Sequence, residues 1–276
     1  MTTTRIHHIA YTPEQNEAVL HYWGCTFHCR GCSCKKGITD WNLRENYDLL
    51  QDKVASKPVT PPERFLEFDE LMTILSGFKL KRVLHQGQEA QLDPMYPQIT
   101  KAIHERFGVP NVLFTNAYRM PPLEDTDQVE IGIKAVTESL NLEYTGKSNQ
   151  TVLENFRKIH DMGKKVIVES IFIPGYIDLE ETERIAEFIA SVDKNIFYVI
   201  LAYFRAGDNP WRRPTRDEID KAVAVARKHL SRVYGVYGDE PLVFHVKNVF
   251  PGNNVQKPQL KELVETKLEQ LAGVSI

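Results

Sequence analysis

From about residue 129 onward, strands and helices alternate along this chain, and that alternation limits its possible folds more than any other feature. Val129 to Lys134 reads as a strand, Gln150 to Met162 as a helix ending at Gly163, and Lys165 to Ile173 as the next strand. A helix from Leu179 to Ser191, capped by Asp178, a strand from Ile196 to Tyr203 and a helix from Thr215 to Leu230 continue the pattern. Short apolar runs separated by helical segments of roughly 10–15 residues are βαβ units, because parallel neighbours need a crossover long enough to carry the chain back. Upstream, strands are expected at Ala18 to Trp23, Arg82 to His85 and Val112 to Thr115. Helices are expected over Asn42 to Val54, from an Asp69 cap to Phe78, and from Tyr96 to Phe107.

About six such units make an α/β protein whose parallel sheet curls into a partial (β/α)6 barrel. In such folds the chemistry sits on loops at the C-terminal ends of the strands. The chain divides into an N-terminal segment (1–17), a core (18–232) and a C-terminal extension (233–276) covering the barrel, with a strand at Leu242 to Val246 and a helix at Pro258 to Leu271. The Pro-rich stretch Lys57 to Pro62 is too short for a domain linker.

At 276 residues, with 42% hydrophobic and 26% charged residues, the chain can bury a substantial core. A net charge of −3 gives no argument for nucleic acid or an anionic membrane. No apolar run approaches the ~20 residues needed to span a bilayer, and Met1 to His8 lacks a hydrophobic signal core. A cytoplasmic protein in a reducing, anaerobic setting is expected.

All four cysteines fall within Gly24-Cys25-Thr26-Phe27-His28-Cys29-Arg30-Gly31-Cys32-Ser33-Cys34, directly after the first core strand. Cys25, Cys29 and Cys32 have the spacing C-x3-C-x2-C. Thiolates this close on one loop can each bind a different iron of a cubane cluster. A zinc site completed by Cys34 or His28 is open on spacing alone, as is a buried helical stripe, although Gly24 and Gly31 make a helix a poor host. A disulfide framework does not suit four cysteines packed into one loop.

The spacing resembles the signature of the radical S-adenosylmethionine (SAM) enzymes, in which three cysteines hold a [4Fe-4S] cluster and SAM chelates the open iron. Four later loops carry the same resemblance, toward the pyruvate formate-lyase activating enzymes. Gly87-Gln88-Glu89-Ala90 stands where the family has G-G-E, with Gln88 replacing a glycine. Phe114-Thr115-Asn116 is similar to D-T-N, with Phe114 replacing the Asp. Ile133-Lys134-Ala135-Val136-Thr137-Glu138 is similar to L-K-x-x-x-D, and Gly146-Lys147-Ser148-Asn149 follows Lys134 at the activase spacing. Ile173-Pro174-Gly175-Tyr176 resembles the turn whose backbone lies near the adenine. The resemblance covers roughly residues 18–210.

It implies a [4Fe-4S] cluster on Cys25, Cys29 and Cys32, with Cys34 outside the ligand set. It implies SAM contacts from Gly31, Ser33, Gly87, Gln88, Glu89, Thr115, Asn116, Lys134, Val136, Thr137, Glu138, Pro174 and Tyr203, with Glu89 on the SAM amino group. The implied reaction is reductive cleavage of SAM to a 5′-deoxyadenosyl radical, fed by an electron donor such as flavodoxin or ferredoxin. That radical would abstract hydrogen from a small molecule or a protein, with no catalytic side chain assigned. Departures bear on the substrate. Thr12-Pro13-Glu14-Gln15-Asn16 stands where activases carry D-G-P-G, Phe204 replaces a His, and Gly132 replaces an Asp. A true glycyl-radical activase and a zinc-binding interaction module are the alternatives. The loop Arg205 to Arg213 offers Trp211, Arg212 and Arg213 as a candidate site for an anionic or aromatic substrate group.

Overall fold

The computed structural model describes residues 2–36, 40, 43, 59, 61–206 and 208–251. Nine strands form one sheet: β1 (Ile6–Thr12), β2 (Glu17–Tyr22), β3 (Arg82–Gly87), β4 (Asn111–Thr115), β5 (Gln128–Gly132), β6 (Lys165–Phe172), β7 (Phe197–Ala202), β8 (Val233–Val236) and β9 (Lys247–Phe250). Their order is β8-β7-β6-β5-β4-β3-β2-β1-β9, and the sheet does not close. β2 to β8 run parallel in strict chain order, while β1 pairs antiparallel with β2, and β9 with β1. When every crossover steps the same way and is right-handed, all helices land on one face and the sheet curls with its other face inward.

The expected partial barrel is therefore observed, and it is larger than six strands. Val233–Val236 adds a seventh parallel strand to β7, and Ile6–Thr12 joins the sheet across a tight turn at 13–16. The boundaries at 17 and 232 thus fall within one sheet. The expected strand at Leu242 to Val246 is displaced to Lys247–Phe250, where it caps β1. The helices expected at Asn42 to Val54 and Pro258 to Leu271 lie outside the described residues.

The helices are α1 (Phe68–Ser76), α2 (Tyr96–Phe107), α3 (Glu138–Thr145), α4 (Gln150–Asp161), α5 (Leu179–Ala190) and α6 (Arg216–Ala226). Asp178 caps α5 by accepting from Leu179 N, and Thr215 closes a capping box with Glu218 on α6. Asp69 does not cap α1; it lies in the first turn behind Glu67. Nothing in the sequence predicts α3, because this short helix carries no apolar stripe and leaves Leu142 exposed. The main core lies between sheet and helices, where outward side chains such as Val83, Leu113, Val129, Ile131, Val166 and Val168 meet Ile103, Phe156, Ile185 and Ile189. The inward face of the sheet meets no helix of that layer, and it bounds a cavity.

Candidate active site

The cysteine loop leaves β2 through Gly24, whose φ of 103° suits glycine. Its backbone is clipped to the end of α3, where His28 N donates to Thr145 O (2.8 Å) and Arg30 N to Tyr144 O (2.9 Å). Asn209 Nδ2 donates to Arg30 O (2.8 Å) from the loop after β7. On the opposite side, Asn116 Nδ2 donates to Thr26 Oγ1 (2.9 Å) and approaches Cys25 Sγ (3.5 Å), while Gly24 N donates to Gln88 Oε1 (3.0 Å). The loops after β3 and β4 thus hold the first cysteine, and α3 with the loop after β7 holds the second and third.

Gly31 is buried among aromatic rings. A Cβ there would lie 2.8 Å from Tyr203 Cε2 and 2.9 Å from the Tyr144 hydroxyl, so only glycine fits between Cys29 and Cys32. Gly87 is required for another reason: its φ is 102°, and a Cβ would meet the Tyr22 backbone at 2.8 Å.

Cys25, Cys29, Cys32 and Cys34 form no disulfide and stand on the wall of a cavity of about 570 Å³, a volume in the range of small-molecule sites. Gly31, Ser33, Gly87, Gln88, Thr115, Asn116 and Lys134 line it too, so ten of the residues implied by the resemblance converge. Burial pushes the Cys25 thiol up to about 11, so loading a metal centre there must displace a proton. A hydrogen bond with Cys32, and then burial, raise Cys34 well above an ordinary thiol, and its Sγ reaches Gly87 O at 3.6 Å. Among the described residues no three His, Cys, Asp or Glu side chains converge tightly enough to hold a single metal ion. Three thiols along one wall suit a cluster with several metal atoms, one thiolate to each.

The remaining implied residues stand elsewhere. Glu89 is 1% exposed, with one oxygen accepting from Thr115 Oγ1 (2.6 Å) and the other from Asn116 N (2.9 Å). It positions two cavity residues from behind the wall; the side chain of that turn at the cavity is Gln88. Val136 N, Thr137 N and Thr137 Oγ1 all donate to the buried Glu181, at 2.6, 2.8 and 2.6 Å. Glu138 accepts from Asn149 N (3.0 Å), and Asn149 Nδ2 returns to Ala135 O (3.1 Å). These residues brace the segment that follows Lys134. Pro174 sits in the turn bridged by Ile173 and Ile177. Tyr203 is wholly buried beneath the cysteine loop, its hydroxyl bonded to Ala206.

Trp211, Arg212 and Arg213 do not line the cavity. Trp211 stacks on Tyr176 with centroids 4.3 Å apart and is covered by the Arg30 guanidinium at 4.9 Å. Arg212 pairs with Glu218 in a two-toothed contact at the surface. Arg213 lies over Phe204 and donates to Tyr237 O (3.0 Å). Both guanidinium groups are engaged with the protein.

Two residues missed in the sequence reach the cavity: Glu130 on β5 and Glu169 on β6. A parallel strand covered on both faces should be apolar throughout, and the acidic residues in Gln128–Gly132 and Lys165–Phe172 break that rule. This break was the available signal.

The sequence matches the model of the radical SAM superfamily over residues 19–189. The chain belongs to the radical SAM superfamily. It is an enzyme of that superfamily, which implies a [4Fe-4S] cluster and SAM as cofactors. A Methanocaldococcus jannaschii protein, provisionally named a glycyl-radical enzyme activating enzyme, is 29% identical over 238 residues, 82% of each chain. The pyruvate formate-lyase-activating enzyme of Staphylococcus aureus is 32% identical over 88 residues, 32% of this chain and 35% of that one. Within the superfamily the chain is thus similar to the activase-like group. Two solved structures share the fold. QueE from Escherichia coli has a TM-score of 0.52 and 13% identity, over 84% of this chain and 94% of that one. A radical SAM methyltransferase from Sphaerobacter thermophilus has a TM-score of 0.56 and 12% identity, over 80% and 66%. No helix among the described residues is long and apolar enough to cross a membrane.

Proposed function

We propose that this radical SAM enzyme draws hydrogen from a substrate held in the inward cavity, with Cys25, Cys29 and Cys32 as the three cluster ligands and Cys34 as a bystander. When bound, the reduced cluster and SAM together supply a 5′-deoxyadenosyl radical. The observation that carries the reading is that the three spaced thiols and the polar ends of β3, β4 and β5 line one cavity.

The protein's own part is to bind, orient and exclude water. Asn116 steadies Cys25 through its contacts with Sγ and with Thr26. Gln88, Thr115 and Lys134 present polar atoms to the cofactor. Lys134 makes no ion pair among the described residues and suits the SAM carboxylate. The electron reaches the cluster from a flavodoxin or ferredoxin.

Anaerobically reconstituted protein given dithionite and SAM should release 5′-deoxyadenosine, and Cys29→Ala should not. No release from the wild type, or undiminished release from Cys29→Ala, would overturn the reading. The names of the M. jannaschii and S. aureus relatives favour a second reading, an activase that installs a glycyl radical on a partner. A protein-centred radical in the electron paramagnetic resonance spectrum, appearing only when a glycyl-radical enzyme is added, would select it.

A further inference from the structure

The inward face of the sheet carries three carboxylates where a parallel sheet is normally apolar. Glu17 opens β2, Glu130 lies at the middle of β5, and Glu169 lies on β6 in register with Gly132. A buried carboxylate costs several kcal/mol unless it is paired and hydrogen-bonded. Glu17 is paired, because Arg82 stands beside it in register on β3 and forms an ion pair with it. Glu130 has one neutral donor, Gln128 Nε2 at 3.0 Å. Glu169 accepts no hydrogen bond among the described residues.

Arg82 and Lys165 are the cations that act on Glu130, and Lys134 is the one that acts on Glu169. Lys134 Nζ lies 2.9 Å from where a Cβ on Gly132 would stand, yet it makes no ion pair with either Glu130 or Glu169. Burial, then the neighbouring Glu169, push Glu130 up to about 8, against the hydrogen bond from Gln128 and the charge of Arg82. Burial raises Glu169 as well, opposed by Lys134. Neither of these two adjacent carboxylates makes an ion pair among the described residues.

Leu84, Phe114, Ile171, Leu201 and Val236 add an apolar lining to the same cavity. The cysteine loop lines it as well. A ligand that fits has an aliphatic body and one positive end.

We propose that Glu130 and Glu169 form a substrate subsite for an alkylammonium group, carried by a free amine or by a lysine side chain. The proposal rests on the enzyme reading only in identifying the ligand as substrate; the subsite itself is a property of the cavity.

Calorimetry would titrate n-pentylamine, 1-pentanol and hexanoate into the wild type, both as isolated and after reconstitution with cluster and SAM. An acetylated, amidated Gly-Lys-Gly peptide would run alongside. Pentylamine should bind at least about tenfold more tightly than pentanol or hexanoate, as a charge-assisted contact requires. Glu130→Gln/Glu169→Gln should erase that preference, with its fold checked by circular dichroism. Equal binding of amine and alcohol by the wild type, or a preference that survives the double substitution, would overturn the inference. A peptide as tight as pentylamine would identify a lysine side chain as the source, and a peptide that does not bind would identify a free amine. Charge selectivity that persists in protein unable to take up SAM would sustain the subsite while the enzyme reading fell.

Discussion

Gly31→Ala tests the packing that shapes the cysteine loop. The added methyl would sit 2.8 Å from Tyr203 Cε2 and 2.9 Å from the Tyr144 hydroxyl, with Tyr144 Cε2 at 3.4 Å. Carbon contacts are comfortable at about 3.5–4.0 Å, so the loop or the rings must give way by more than half an ångström. Neither ring yields freely. Both tyrosines are buried, and Tyr203 is tied to Ala206 by two hydrogen bonds. Overpacking of this kind costs about 1–3 kcal/mol. The displaced segment joins Cys29 to Cys32, so the loss should also appear as poorer cluster assembly.

Tyr144→Phe removes the oxygen at 2.9 Å and leaves the Tyr203 contact, so in the double variant it should recover about 1 kcal/mol. The assay is anaerobic guanidinium unfolding of all four proteins, with iron and sulfide counted on the same samples. A Gly31→Ala protein as stable as the wild type, with a full cluster, would refute the packing argument. A destabilised one that Tyr144→Phe does not relieve would refute the placement of the hydroxyl.

Three other outcomes follow from the site. Cys25→Ala, Cys29→Ala and Cys32→Ala should each fall well below the about four irons per chain of a [4Fe-4S] protein, while Cys34→Ala should retain them, as read by iron analysis. Burial and Glu169 raise Glu130 to about 8 from an unfolded value of 4.5. A raised pKa stabilises the fold below the unfolded value and loses that contribution as pH climbs through the folded one. Relative stability should therefore decline between pH 4.5 and about 8 by the order of a few kcal/mol, and Glu130→Gln should flatten the decline in denaturant titrations. Arg212→Ala should cost under about 1 kcal/mol, because its pair with Glu218 is an exposed one. It should leave 5′-deoxyadenosine release unchanged, and a marked fall in that assay would return the loop to the active site.

The elements whose period was strong were legible in the chain itself. Tyr96–Phe107 and Gln150–Asp161 begin where apolar spacing and composition place them, and Thr215 signals its helix through Glu218 three residues on. Glu138–Thr145 was not legible, because it is held by its place beside the cysteine loop and carries no apolar face. The cluster loop was legible for a chemical reason: three thiols at that spacing on one loop have few uses, and all three stand on one cavity wall.

What the sequence by itself determined is the order of the parallel strands and the loop positions at their C-terminal ends. Strand–helix alternation and right-handed crossovers leave few other arrangements. Only the tertiary structure decided which residue of each loop faces the cavity. Glu89 and Gln88 are neighbours in the chain, yet one turns back to bond Thr115 and Asn116 while the other lines the cavity. Arg212 and Arg213 look available in sequence and are consumed by Glu218, Phe204 and Tyr237. Glu130 and Glu169 are 39 residues apart, 130 to 169, and meet only because β5 and β6 pair with Gly132 opposite Glu169. Side-chain direction depends on strand register and on partners supplied from distant segments, and neither is written in a local stretch of residues.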